Sequence, residues 1–80
     1  MDSIGKLKWR CRRGTKELDY LLTAYLDGFF SQANEEEQLL FLELLKLQDT
    51  QLIDFLLGDQ LPESESLAEL VKTIRKNKNI

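Results

Sequence analysis

The chain has 80 residues, which suffices for one small domain that buries about 60% of the surface exposed by its unfolded form. Its composition, with 42% hydrophobic residues, one proline and many more leucines than valines or isoleucines, indicates an all-α fold and argues against disorder or a β-sheet. The lack of histidine and the single cysteine, Cys11, argue against ordinary acid-base catalysis, an internal disulfide and a multi-thiolate metal site.

The net charge of −3 conceals blocks of opposite sign. Residues 6–16 carry six cations and no acid, residues 17–71 carry thirteen acids and one base, and residues 72–78 carry four cations. The acidic balance of the whole chain argues against a dedicated nucleic-acid binder. Because the first block is so concentrated, we predict that this end of the protein meets a partner.

Two helices are predicted in the first 30 residues. A short helix is expected over residues 4–12, with Leu7 and Cys11 on one face and the cations spread around it. The longest helix follows, because apolar residues recur three and four apart for more than three turns. This stripe consists of Leu18, Leu21, Leu22, Tyr25, Leu26, Phe29 and Phe30.

The start of the longest helix is predicted at Gly14 or Thr15, either of which can serve as the N-cap. With Gly14 as the cap, Glu17 takes the third helical position. A carboxylate there faces unpaired backbone amides and the positive end of the helix dipole, so Glu17 has a structural role open to it.

Two further helices are predicted from cap residues that precede leucine-rich runs. Asn34 is expected to cap a helix with three glutamates in its first turn. Its apolar residues are Leu39, Leu40, Leu42, Leu44, Leu45 and Leu47. Asp49 is expected to cap a short helix that Gly58 ends in a left-handed conformation. The apolar residues of this short helix are Leu52, Ile53, Phe55, Leu56 and Leu57.

The last helix is predicted from a capping box, Ser66 with Glu69 three residues later, after an expected loop over residues 59–65. Its inner face contains Leu67, Leu70, Val71 and Ile74, and the cations Arg75, Lys76 and Lys78 suit its negative end. The elements together predict a small single-domain bundle of four to five helices over residues 1–80.

Two segments of the sequence resemble a known family. The first is the run from Trp9 to Asp19, which contains the pattern Arg13-Gly14-x-x-Glu17 in a basic and aromatic setting. The second is Leu44-Leu45-x-x-x-Asp49-x-x-Leu52-x-x-Phe55-Leu56-x-Gly58. With the chain length and helical layout, they resemble the small bacterial and mitochondrial assembly factors that promote covalent flavin attachment to the flavoprotein subunit of succinate dehydrogenase.

The resemblance implies a non-enzymatic assembly factor that binds the apo flavoprotein subunit of succinate dehydrogenase, or of fumarate reductase, while FAD couples to that client. Arg13, Gly14 and Glu17 would form the contact site. The other candidate contact residues are Trp9, Arg10, Arg12 and Asp19. No cofactor is expected on this chain, which contains no strand followed by a Gly-x-Gly-x-x-Gly turn for a dinucleotide. No metal site or catalytic group is expected either.

Each candidate residue also has an interpretation that needs no partner. Arg13 can pair with Glu17 on the helix surface, although an exposed pair in that order contributes only about 0.3 to 0.5 kcal/mol. Gly14 can be a turn glycine, or its lack of a side chain can let a partner's backbone approach. Trp9 can pack within the bundle or anchor an interface. Cys11 is expected to be buried.

Two other functions are open to the basic segment. The chain could be a small regulatory protein that binds another protein or nucleic acid through this segment, which includes the antitoxin-like role that the resemblance also allows. Its cations and Trp9 suit phosphates and bases, although the acidic remainder of the chain would repel a polyanion. A short apolar face of Ile4, Leu7 and Trp9 could instead rest on a membrane surface. No apolar run approaches the roughly 18 residues of a membrane span, and we expect a monomer in a bacterial cytoplasm.

Overall fold

Five α-helices, one 3-10 turn and one π-helical turn make up the fold over the residues that the structure describes. The computed structural model describes residues 4–76, with only the backbone of residue 4. The helices are α1 (Ile4–Arg10), α2 (Lys16–Gly28), α3 (Glu35–Leu45), α4 (Asp49–Leu52) and α5 (Glu65–Arg75). The 3-10 turn (Phe30–Gln32) follows α2, and the π turn (Ile53–Leu57) continues α4. No strand occurs in this part of the chain, and the prediction of an all-α bundle is confirmed.

The core lies between α2 and the elements packed around it. Its buried residues are Leu7, Cys11, Leu18, Leu21, Leu22, Tyr25, Leu26, Phe30, Phe41, Leu44, Leu45, Leu52, Leu56, Leu70, Val71 and Ile74. The predicted stripe of α2 is therefore buried, as are Leu7 and Cys11. Phe29 is the member of the stripe that is not buried. Helix α2 ends at Gly28 and the chain turns there, which leaves Phe29 45% exposed.

An aromatic cluster joins α2 to α3. The Phe41 ring lies 4.8 Å from that of Tyr25 and 5.5 Å from that of Phe30, measured between centroids. The Tyr25 hydroxyl donates a hydrogen bond to the Glu37 carboxylate in the first turn of α3. Burial raises the pKa of Tyr25, and the bond to Glu37 raises it further. The tyrosine is therefore neutral in the folded protein and can act as the donor.

The predicted helix starts are right in two cases and displaced in two. Thr15 is the N-cap of α2, one of the two residues expected, and the Asn34 side chain accepts from the Glu37 N–H at 2.8 Å. Gln48 rather than Asp49 is the N-cap of α4. The Gln48 N–H donates to Gln51 Oε1 at 3.2 Å. Asp49 is the first residue of the helix, and its carboxylate is engaged elsewhere, as described below.

Helix α5 begins two residues earlier than the capping box predicts. Ser64, not Ser66, is its N-cap, and the Ser64 hydroxyl accepts from the Leu67 N–H at 3.3 Å. Arg75, which was expected to serve only the negative end of α5, donates from Nε to the Phe55 carbonyl at 2.6 Å and from Nη2 to the Gln60 carbonyl. Arg75 thus ties α5 to the π turn. Lys78 lies outside the described residues.

Gly58 does not adopt the predicted left-handed conformation, since its φ is −95°. Its N–H instead donates to the Ile53 carbonyl at 2.9 Å, the five-residue spacing of a π turn. This wider turn brings the Asp54 carbonyl oxygen within 2.7 Å of the position that a Cβ on residue 58 would occupy. Glycine is required here because of that close approach.

We expect Gly58→Ala to lower the free energy of unfolding by about 1–3 kcal/mol, because the added methyl group would overlap the Asp54 carbonyl. Gly28→Ala is the matched control. Nothing lies within 4 Å of a Cβ there, and replacing the last residue of α2 should stabilise the protein by about 0.4–1 kcal/mol. Urea unfolding of both variants measures the difference. Equal effects would contradict this role of Gly58.

Candidate partner-binding surface

The predicted contact residues lie in the loop between α1 and α2 and in the helix turns on either side of it, and Gly14 is an exposed residue of that loop. Gly14 has a φ of +90°, in a region that residues with a side chain seldom adopt. Nothing lies within 4 Å of a Cβ built on it. The conformation therefore requires glycine for its backbone geometry, while the space beside it is open to an approaching molecule.

Arg13, the residue before Gly14, turns its side chain into the protein. Only 16% of that side chain is exposed. Its Nε donates to the Arg10 carbonyl at 2.9 Å, its Nη1 donates to the Leu47 carbonyl at 3.2 Å, and its Nη2 donates to the Leu45 carbonyl. Nη1 also pairs with Asp49 Oδ1 at 3.2 Å. The ion pair of Arg13 is therefore with Asp49, and not with Glu17 as one interpretation of the sequence has it.

Arg10 and Asp19 hold the loop around Arg13. The Asp19 carboxylate accepts from the backbone N–H of Arg13 at 2.5 Å, and the Asp19 N–H donates to the Thr15 carbonyl at 2.8 Å. Arg10 supplies the carbonyl that binds Arg13 Nε. Both side chains are half-buried, so these two predicted contact residues lie behind the exposed part of the loop.

Trp9 and Arg12 form the outer part of the same region. The Trp9 side chain is 74% exposed, and the Arg12 guanidinium carbon lies 5.8 Å from its ring centroid, within the range of a cation–π contact. The interpretation of Trp9 as a residue packed within the bundle is therefore wrong. An aromatic ring this exposed is available to a partner, and Arg12 restricts its orientation.

Glu17 lies at the rim of a shallow pocket beside the loop. With Thr15 as the N-cap, Glu17 is the second helical residue rather than the third, and its side chain is exposed. The pocket is lined by Lys16, Glu17, Tyr20, Leu21 and Leu57. Its floor is apolar and its rim carries one charge of each sign.

A second groove lies on the other side of Tyr20, between α1 and α2. It is lined by Lys8, Arg12, Lys16, Asp19, Tyr20 and Thr23. Lys8 pairs with Asp27 of α2 at 3.5 Å, which ties the two helices together. We define the basic-aromatic surface as the exposed residues around these two recesses, which are Lys8, Trp9, Arg12, Gly14, Lys16, Glu17 and Tyr20.

Three members of this surface were not among the candidates from the sequence: Lys8, Lys16 and Tyr20. Tyr20 offers a signal that could have identified it, because it is an aromatic residue placed off the apolar stripe of a strongly amphipathic helix. Its side chain is 47% exposed. Lys8 and Lys16 belong to the basic block but have no sequence feature that separates them from its other cations.

Cys11 lies beneath the loop and is fully buried, as expected. Burial raises the pKa of its thiol from 9.0 to about 11, although the positive charge of Arg13 opposes the shift. The folded state therefore holds the thiol proton more tightly than the unfolded state does. This contribution to stability is complete below about pH 9 and is lost as the pH rises toward 11.

We expect the melting temperature of the protein to fall between pH 9 and pH 11 more steeply than that of Cys11→Ala. The variant lacks the thiol whose deprotonation favours unfolding, while Tyr25 is present in both proteins. Thermal unfolding at a series of pH values measures the two slopes. Only the slopes of melting temperature against pH are compared, and not the melting temperatures themselves, because the alanine also leaves a small void. Parallel curves would contradict the assignment.

The described residues contain no group of three or more histidine, cysteine or acidic side chains placed to hold a metal ion. Within that same part of the chain, no helix is both long and apolar enough to cross a membrane.

Comparison with known proteins places the chain among one group of relatives. A family model described as flavinator of succinate dehydrogenase matches residues 5–78. A protein of Xylella fastidiosa named FAD assembly factor SdhE is 42% identical over 72 residues, which cover 90% of this chain and 74% of that protein. A protein of Methylococcus capsulatus with the same name is 41% identical over 75 residues, 94% of this chain and 90% of its own length. Another, from Shewanella oneidensis, is 32% identical over 73 residues, with 91% and 89% covered.

Proposed function

Because the chain belongs to the family of flavinators of succinate dehydrogenase, we propose that it binds the apo form of that enzyme's flavoprotein subunit and promotes covalent attachment of FAD to it. The family resemblance predicted from the two sequence segments is confirmed. The relatives are named as assembly factors and not as catalytic enzymes, which supports a role without chemistry of its own. We propose the related flavoprotein subunit of fumarate reductase as a second client.

The observation that carries the proposal is the exposure of both Gly14 and Trp9. A backbone without a side chain, with open space in front of it, lets the client's own main chain come within van der Waals distance. Trp9, in the helix that precedes the loop, adds a large exposed aromatic ring, and interfaces derive much of their binding energy from such aromatic anchors. We therefore place Gly14 and Trp9 near the centre of the contact.

The charges around this centre favour a partner surface that is acidic or rich in carbonyl groups. Arg12 and Lys16 flank the two recesses, while thirteen acids occupy residues 17–71. Such an asymmetric distribution raises the rate of encounter in the correct orientation more than it raises affinity. Glu17 is the one acidic residue of the basic-aromatic surface and lies beside the apolar pocket. We assign it a cationic or N–H partner on the client.

The test is co-expression of the apo flavoprotein subunit with and without this chain, in a host that lacks its own assembly factor. Covalent flavin is read as fluorescence of the subunit on a denaturing gel. We expect the signal to depend on the chain. An equal signal in its presence and absence would overturn the proposal, and the same assay with the fumarate reductase subunit decides whether that protein is also a client.

A salt titration separates this proposal from nucleic-acid binding. Contacts to phosphates release counterions, so an affinity that rests on several of them falls steeply between about 50 and 200 mM salt. An interface with an apolar centre weakens only gradually. We expect gradual weakening for the flavoprotein complex and no comparable affinity for a single-stranded oligonucleotide.

A further inference from the structure

Arg13 lies where four helices meet. Its guanidinium donates to carbonyls at or just beyond the ends of α1 and α3, and it pairs with Asp49 at the start of α4. Its backbone N–H donates to Asp19 in the second turn of α2. The three carbonyl acceptors belong to Arg10, Leu45 and Leu47. The last four carbonyls of a helix have no intrahelical N–H partner, and Arg13 supplies a donor to two such carbonyls, those of Arg10 and Leu45.

We propose that Arg13 is a positioning residue, which fixes the loop that presents Gly14 and that places Arg12 against Trp9 of α1, and does not itself contact the client. This inference rests on the proposed function and revises the expectation that Arg13 is a direct contact. Of the five N–H groups of an arginine, four have acceptors within the protein, and the side chain is only 16% exposed. A direct contact through any of these four groups would have to break a bond that Arg13 makes within the protein.

The loop geometry explains how Arg13 acts on its neighbours. Asp19 binds the N–H before Gly14 and the carbonyl after it, so both sides of the glycine are tied to α2. The guanidinium of Arg13 ties the residue before the glycine to α3 and α4. With both anchors in place, the backbone at Gly14 is held at a φ of +90° with its open side outward. Without the guanidinium anchor, the loop loses its connections to α3 and α4.

Lysine at position 13 distinguishes the two roles. A lysine ammonium retains the positive charge but lacks the planar fork that reaches several acceptors at once. For a direct ion pair with the client, Arg13→Lys should preserve much of the affinity. For a positioning residue, we expect Arg13→Lys to weaken client binding about tenfold or more, although the charge is unchanged.

The experiment compares the wild-type chain with Arg13→Lys, Asp49→Asn and the double variant. Lys72→Gln serves as a control for changing an exposed charge, since Lys72 pairs with Glu69 of its own helix at 3.4 Å. Affinity for the apo flavoprotein subunit is measured by calorimetry. The free proteins are compared by the fluorescence of Trp9, the single tryptophan of the chain, at a temperature where every variant is folded.

We expect Arg13→Lys and Asp49→Asn to change the Trp9 emission of the free protein in the same direction and to weaken binding, with Asp49→Asn the milder of the two. Because both substitutions disrupt the same connection, between Arg13 and Asp49, the double variant should bind no more weakly than Arg13→Lys alone. Lys72→Gln should match the wild type. In the wild-type complex, the Arg13 Nε–H resonance should keep its position and its slow exchange with water.

Two results would overturn the positioning role. One is a loss of affinity in Arg13→Lys with unchanged Trp9 emission and unaffected binding by Asp49→Asn. The other is an Arg13 Nε–H resonance that moves strongly when the client binds. Failure of the wild-type chain to bind or flavinylate the subunit would instead refute the proposed function, so the two failures are distinguishable.

Discussion

Replacing Gly14 with arginine is expected to abolish binding of the apo flavoprotein subunit and to reduce its covalent flavin to the level seen without this chain. An arginine side chain would fill the open space in front of the loop, where we place the client's backbone. The loss of close contact at the centre of an interface corresponds to a decrease in affinity of about 100-fold or more. Calorimetric titration and the flavin fluorescence assay measure the two effects.

Gly14→Ala is the control for the backbone. Alanine shares the unfavourable positive φ with arginine, so both variants should lose about 1–3 kcal/mol of stability. It adds only a methyl group to the open side of the loop, and it should therefore retain most of the binding. Circular dichroism should give nearly equal helical content for the two variants. If alanine abolished binding as completely as arginine, loop strain rather than a blocked approach would explain the effect.

Replacing Phe30 with alanine is expected to destabilise the protein by about 3–5 kcal/mol, the usual effect of removing a buried phenylalanine ring. Phe30 is 7% exposed and packs against Phe41 in the aromatic cluster. The total stability of an 80-residue domain is about 4–12 kcal/mol, so this variant should lose a large fraction of its stability. Urea unfolding monitored by circular dichroism measures the change.

The adjacent residue provides the matched control. Phe29 is 45% exposed, and its ring stacks on that of Tyr25 with the ring centroids 5.9 Å apart. Phe29→Ala should therefore lower the free energy of unfolding by no more than about 1 kcal/mol. Effects of similar size for the two variants would show that the chain does not turn at Gly28 as described.

The helices could be predicted from the sequence because they depend on local periodicity and composition. The stripe of α2 and the Asn34 cap are both correct in the structure. The start of α5 could not be decided locally, since Ser64 and Ser66 both offer a hydroxyl three residues before a backbone amide. Which serine becomes the cap depends on how α5 packs against α3 and the π turn, and the nearby residues do not encode that arrangement.

The site was predictable in location but not in the division of roles among its residues. The basic and aromatic run identified the loop, and Gly14 could be recognised as a residue with a special backbone. Three of the four acceptors of Arg13 lie 32 to 36 residues further along the chain, at the junction of α3 and α4. No local sequence pattern indicates such a distant contact, and a charged residue in a basic segment is ordinarily expected to face solvent.

The π turn at Ile53–Leu57 contains one residue more than an α-helical turn, and the shape of the binding face depends on that residue. An α-helix rotates by about 100° for each residue, so deleting one residue here would restore ordinary helical geometry and turn everything after it around the axis. Leu57 would leave the floor of the pocket beside Glu17, and Phe55 and Gln60 would move away from Arg75. Homologous chains that shorten this turn by a single residue would therefore present a different face to their clients, even with every residue of the first loop unchanged.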